Sequence, residues 1–177
     1  MGGGWKVGIQ RWNAIIGRVG SIHTFFTKLA LEPKYNAMIW AKRFTVEELK
    51  ARNKNSCSEY LGVEFTEIGD DFLKAKMPVD EKTTQPFGIL HGGASCVLAE
   101  TIGSIASSLC VKNAFVDRAM GIEINANHLR PATAGFVHAL CKPIKLGRKL
   151  HVWNIEISDD KRKLVCISRL TVMIVRS

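Results

Sequence analysis

Between Lys82 and Lys112 the chain carries a single formally charged residue, Glu100, in the stretch QPFGILHGGASCVLAETIGSIASSLC (residues 85–110). A carboxylate among apolar and small residues is costly to bury without a partner, so its place there asks for a use. Residues 92–111 contain no proline and are rich in Ala, Leu, Ile and Val. This pattern predicts a buried helix of about twenty residues. The start of such a helix offers free backbone N–H groups and the positive end of its dipole. The glycine pair after His91 puts no side chain in the way of a ligand. A terminus of this kind polarises a carbonyl or holds an oxyanion, and Glu100 is placed to serve as base or nucleophile. That equipment suits acyl transfer.

Spacing constrains the idea. Gly92 and Glu100 are eight residues apart, roughly 12 Å along a helix that rises about 1.5 Å per residue. An oxyanion donor and an attacking group must both come within about 3 Å of one reacting centre. Two antiparallel copies of the helix related by a two-fold axis meet that requirement, giving two composite sites per dimer. Plainer readings of each residue stay open. Glu100 can be a helix residue that finds solvent or a core hydrogen bond, and His91 a turn or capping residue. His128 can be a satisfied core histidine, and Gln85, held extended by Pro86, a loop residue.

The elements that would position these groups are legible around them. Thr45 followed by Glu48 resembles a capping box opening a helix over VEELKARN. Leu61, Val63 and Phe65 alternate with polar or small residues, as do Leu73, Ala75, Met77 and Val79 after the turn signal GDD. Together they predict a hairpin of two half-buried strands. Four further alternating segments follow the long helix: MGIEINANHLR, GFVHALCKPI, HVWNIEIS and KLVCISRLTVMIV. In the first of them Ile122, Ile124, Ala126 and His128 are expected on one face. The economical packing is α+β, an antiparallel sheet wrapped round one central helix.

The chain has 177 residues, enough for one ordinary domain with a real core. Its 46% hydrophobic and 23% charged content is that of a globular, not a disordered, sequence. Five cysteines at 57, 96, 110, 141 and 166 form no CxxC pair and no zinc-ligand cluster. They read as reduced core thiols of a cytoplasmic protein with no metal. Of the net charge of +9, residues 1–37 hold +4 (five Lys/Arg against one Glu). This segment reads as a basic amphipathic extension to the domain over 38–177, surface-seeking or simply upstream sequence. The remaining charge is mixed with acidic residues and forms no stripe or motif for nucleic acid. A local cluster, KPIKLGRK (residues 142–149), suits a phosphate-bearing small molecule.

Taken together, QPFGILHGGASCVLAETIGSIAS, GIEINANHLR and KPIKLGR resemble the hotdog-fold acyl-CoA thioesterases. The likeness covers nearly all of residues 38–175. Within the family it is strongest to the group that hydrolyses 1,4-dihydroxy-2-naphthoyl-CoA in menaquinone or phylloquinone synthesis and to the group that proofreads enterobactin synthesis. The resemblance implies a hotdog fold with a six-stranded antiparallel sheet around the helix. It also implies homodimers joined sheet edge to sheet edge, their association into homotetramers, and a site between subunits. Glu100 would be the catalytic carboxylate, as nucleophile or as general base on water, and the Gly92 N–H would polarise the thioester carbonyl. Gln85, His91 and Ser104 would line the reacting centre. Coenzyme A contacts would fall to Gly121, His128 and Arg130, and to Lys145, Leu146, Gly147, Arg148 and Lys149. Coenzyme A is then part of substrate and product, and no separate cofactor is implied.

The sequence departs from that pattern in three places. Residues 1–37 have no counterpart, VKNAFVDRA is a longer connection, and Pro131 follows Arg130. Two other functions remain open. An acyl-CoA dehydratase of the same fold would want an Asp/His pair on the helix, which offers Glu100 without a histidine. A non-catalytic acyl-CoA sensor would keep the basic KLGRK turn and have no need of Glu100.

Overall fold

The computed structural model describes residues 38–112 and 116–176; the amphipathic extension expected over residues 1–37 lies outside the described residues. Helix α1 (Val46–Arg52) begins where the capping box predicts. Thr45 Oγ1 accepts from the Glu48 N–H, and the Glu48 carboxylate accepts from the Thr45 N–H. A one-turn helix α2 (Cys57–Tyr60) follows, capped by Ser56. Strands β1 (Glu64–Ile68) and β2 (Leu73–Pro78) form the expected hairpin, and α3 (Gly92–Cys110) is the long helix. Strands β3 (Asp117–His128), β4 (Phe136–Leu146), β5 (Leu150–Asp159) and β6 (Leu164–Arg176) complete the fold.

The strands form one six-stranded sheet in the order β1-β2-β4-β5-β6-β3, antiparallel throughout. Their alternation turns one face toward α3, which packs against every strand from β2 to β6. This is the hotdog arrangement. On α3, Leu98, Ala99, Ile102, Ala106 and Leu109 are fully enclosed, as are Trp153, Ile155, Ile157, Leu170 and Val172 on the sheet. Small helix residues allow the approach: a Cβ at Gly103 would lie 2.5 Å from Leu170 Cδ2. Among the described residues α3 alone is long and apolar enough to cross a membrane. Here that apolar surface packs against the sheet.

One expectation about β3 is corrected. Its pairing with β6 slips between Gly121 and Glu123, leaving Ile122 as an extra residue. Such a bulge interrupts the two-residue period of a strand. Ile124 and Ala126 pack on the core, whereas Ile122 is half exposed and does not share their face. Gly121 takes the place facing the helix.

Among the described residues, buried side-chain polar atoms are paired, His151 Nδ1 excepted. The buried Trp153 Nε1–H donates to Ser107 Oγ at 2.7 Å, and Trp40 stacks on Trp153 with ring centroids 6.3 Å apart. Removing an acceptor strands a buried donor, at a cost of about 1–3 kcal/mol. Ser107→Ala is therefore expected to lower the unfolding free energy by that amount, seen as a lower urea midpoint with the slope of the transition unchanged. An unaltered midpoint would show that the indole finds another acceptor.

Candidate active site

The start of α3 is set by the loop before it. Buried Thr83 donates through Oγ1 to the Pro78 carbonyl at 2.8 Å and accepts from the Asp80 N–H at 3.0 Å. Its own carbonyl accepts from the His91 N–H at 2.8 Å. Leu90 N–H donates to the Ala132 carbonyl, fastening the loop to the segment after β3. His91 then caps the helix, its Nδ1 accepting from the Gly93 N–H at 2.8 Å. With Nδ1 an acceptor, the neutral ring carries its proton on Nε2 and stays a donor. The Gly92 N–H has no acceptor among the described residues.

A cleft of about 390 Å³ opens at this terminus, walled in part by Gln85, Gly92, Ser95, His128 and Arg130. The Gln85 side-chain oxygen accepts from the Phe87 N–H at 3.2 Å, leaving its amide hydrogens to the cleft. His128 lies directly over Gly92, where a Cβ would come within 2.7 Å of Nε2. The imidazole is exposed and not part of the core. A free helix N–H with a donor ring on either side is a place for a developing negative charge.

Glu100 faces a different hollow, of about 450 Å³, walled in part by Cys57, Cys96, Val97, Thr101 and Ile124. Ser104, one turn further along α3, donates from Oγ to Glu100 Oε1 at 3.3 Å. No cation among the described residues pairs with the carboxylate. Burial accordingly raises its pKa above the ordinary glutamate value, and the Ser104 bond offsets part of that. Burial, and secondly the Glu100 charge, push the Cys96 thiol up, so this neighbour is no thiolate nucleophile. Gly121 supplies the room: a Cβ there would fall inside the envelope of Glu100 Oε1.

One chain thus gathers Gln85, Gly92, His128 and Arg130 in one cleft, with His91 capping the helix beside it. It places Glu100 with Ser104 and Gly121 in another. Gly121, grouped with His128 and Arg130 by the resemblance, lies beside the carboxylate instead. The basic turn is separate again. Arg148 and Lys149 line a third hollow with Met173, Ile174 and Arg176, while Lys145, Leu146 and Gly147 lead into it. Sequence reasoning missed Thr83, Ser95, Cys57 and Cys96. Only Thr83 had a local signal, an Asp three residues before it in a turn. Cys57 reaches the hollow from α2, and nothing local to it says so. Among the described residues no three His, Cys, Asp or Glu side chains assemble into a metal site.

The thioesterase superfamily model matches residues 87–166. A 1,4-dihydroxy-2-naphthoyl-CoA hydrolase from Escherichia coli is 51% identical over 137 residues, covering 77% of this chain and 99% of that protein. The chain belongs to the thioesterase superfamily. A proofreading thioesterase, EntH of Cronobacter turicensis, is 44% identical over 137 residues, 77% of this chain and 98% of that one. The crystal structure of a thioesterase from Haemophilus influenzae matches with a TM-score of 0.75 at 49% identity, covering 78% of this chain and 96% of that chain. The thioesterase described here is accordingly a thioester hydrolase of the hotdog fold.

Two outcomes follow for this thioesterase. A side chain at position 121 must displace the carboxylate, and misplacement by about 1 Å costs roughly 100-fold in rate. Gly121→Ala should lose turnover on that scale with an unchanged circular dichroism spectrum. With Glu100 as the reacting carboxylate in its anionic form, activity is expected to fall as pH drops through its raised pKa. The acid limb of kcat/KM should lie above 4.5, the ordinary glutamate value. Ser104→Ala removes the bond that lowers the pKa and should move the limb to still higher pH. A limb at or below the ordinary value would remove Glu100 from the rate-determining step.

Proposed function

We propose that this thioesterase hydrolyses an aromatic acyl-CoA of the 1,4-dihydroxy-2-naphthoyl type to the free acid and coenzyme A, at a site shared by two subunits. The carrying observation is the separation within one chain of a free helix-start N–H from a half-buried, unpaired carboxylate. Each is half of an acyl-transfer site. The 51% identity to the Escherichia coli hydrolase supports the aromatic acyl group and a place in menaquinone synthesis.

The fold suggests how the halves meet. Strand β3 is a long sheet edge whose Met120 and Ile122 are each 52% exposed, the kind of edge that pairs with another chain. Along it, His128 marks the Gly92 end of α3 and Gly121 marks the Glu100 end. Antiparallel pairing of β3 with its copy, centred on Asn125 and with Ile122 left out as the bulge, sets Gly121 opposite the partner subunit's His128. Glu100 then faces the Gly92 N–H of the partner subunit across the interface. Pairs of such dimers would form the homotetramer.

In the shared site the thioester oxygen accepts from the Gly92 N–H, with His91 and Gln85 as further donors. Glu100 takes a proton from water as hydroxide adds to the carbonyl carbon, or adds to that carbon itself. The C–S bond breaks as the oxyanion collapses; in the water route the departing thiolate takes the proton held on Glu100, and in the direct route it takes one from the water that follows. In the direct route, water then hydrolyses the anhydride formed on Glu100. Ser104 orients the carboxylate. His128 and Arg130 at the cleft, and the 145–149 turn, contact coenzyme A. The helix carries Glu100 without a histidine, which speaks against a dehydratase.

Mixing inactive subunits tests the shared site. Glu100→Ala and Gly92→Val should each lose at least about 100-fold in kcat. Refolded together in equal amounts, they should recover about a quarter of wild-type activity, since half the dimers are mixed and each holds one intact site. No recovery would place donor and carboxylate of one site on the same chain. Run on naphthoyl-type, benzoyl and straight-chain acyl-CoAs, the wild type should favour the aromatic thioesters at least about tenfold in kcat/KM. Binding without release of thiol would indicate a sensor instead.

A further inference from the structure

The segment between α1 and β1 holds a cluster of polar groups that the hydrolysis does not use. Asn53 is only 7% exposed, and its side-chain N–H donates to the Val63 carbonyl at 2.9 Å. Ser58, also buried, donates from Oγ to Asn53 Oδ1. Its carbonyl accepts from the Val63 N–H at 2.9 Å. Ser56 donates to the Asn53 carbonyl and accepts from the Glu59 N–H at 3.1 Å. A four-residue helix such as α2 has no stability of its own. These bonds therefore hold it in place.

What they hold is a wall. Cys57 on α2 borders the hollow of about 450 Å³ in which Glu100 stands, with Val97 and Thr101 of α3 and Ile124 of β3 as further lining. Apart from Glu100 the lining residues are uncharged. A carbonyl carbon in reach of that carboxylate carries two arms. The sulfur arm leads to the nucleotide, whose phosphates need cations, and the acyl arm needs apolar room. The hollow offers that room beside the carboxylate, and its volume lies within the roughly 300–1,000 Å³ of small-molecule sites.

We propose that the acyl group enters this hollow and that α2, through Cys57, sets how large an acyl group is turned over. The proposal rests on the reading of Glu100 as the reacting carboxylate. A wall fixed by buried hydrogen bonds selects by clash, because it does not give way to a ring that is too large. Cys57 is small and leaves space there for a bicyclic ring, which a bulky side chain would take.

Two measurements test it. In Cys57→Phe the ratio of kcat/KM for 2-naphthoyl-CoA to that for benzoyl-CoA should fall at least about tenfold. An unchanged ratio overturns the proposal. The second measurement uses the wild type, so it decides the matter should Cys57→Phe not fold. Cys57 is exposed, whereas Cys96 and Cys110 are partly buried and Cys141 and Cys166 buried, so N-ethylmaleimide should reach it first. A 2-naphthoyl-CoA analogue with a methylene in place of the sulfur binds without being cleaved. At ten times its Kd it should slow labelling of Cys57, followed by peptide mass spectrometry, about tenfold. Coenzyme A alone should leave that rate unchanged. Inhibition by the analogue with labelling unslowed, or equal slowing by coenzyme A, overturns the proposal. The aromatic reading fails separately: if the wild type prefers straight-chain thioesters and the methylene analogue of dodecanoyl-CoA protects Cys57, the hollow is still the acyl pocket. Full turnover in Glu100→Ala removes the mechanism and this use of the hollow with it, whereas a failure confined to Cys57 leaves the mechanism standing.

Discussion

A straight helix cannot fold back on itself, and that constraint organises this protein. The free N–H at Gly92 and the carboxylate of Glu100 sit on one rigid element, roughly 12 Å apart at about 1.5 Å per residue. No side-chain rotation closes that gap to the few ångströms that acyl transfer needs. The fold answers by leaving each half open in its own cleft and by leaving β3 as a sheet edge beside both. The same helix supplies the core, with Leu98, Ile102 and Leu109 enclosed by the sheet. Stability and the proposed chemistry are thus carried on different faces of one element. A change that tilts α3 disturbs both.

The carboxylate shows how the two demands are reconciled. Glu100 is half-buried, unpaired, and bonded only to Ser104 among the described residues. Its raised pKa records a charge held in unfavourable surroundings. In linkage terms its ionisation opposes folding, so its share of stability is present at low pH and lost as pH rises through the folded-state pKa. Neutralising it therefore does not weaken the fold at neutral pH. A poorly solvated carboxylate is also a stronger base than one in water. The space it occupies comes from the neighbouring strand, whose bulge turns Gly121 toward it. Strain and reactivity are concentrated at one position while the surrounding core is well packed.

What could be read from the sequence was what local pattern controls. The isolated charge, the proline-free apolar run, the Thr45–Glu48 capping box and the strand alternation each depend on residues within a few positions of one another. The bulge at Ile122 does not. A two-residue period predicts Ile122 beside Ile124, and only the pairing with β6 shows the extra residue that parts them. His128 could be read as a core histidine or as a ligand contact, and its exposed place over Gly92 is set by a neighbour distant in sequence. Cys57 faces the Glu100 hollow because α2 packs there, and Thr83 holds His91 through a loop closed by its own side chain. Such contacts join residues that are distant in sequence or arise from loop geometry. Hydrophobic periodicity carries no information about them.

In the proposed reading, function on this scaffold divides along the length of an extended ligand. The reacting end needs a free N–H, a carboxylate and little else, and glycine at 92 and 121 keeps the backbone close enough for both. The far end needs cations held still, and the turn after β4 is tied by backbone bonds at Gly147 and Lys149. Interactions remote from the reacting centre accelerate a reaction only when they hold the reacting atoms in place. A loose turn would gather ligand without fixing its thioester, whereas a tied turn passes its grip along the pantetheine arm to the carbonyl.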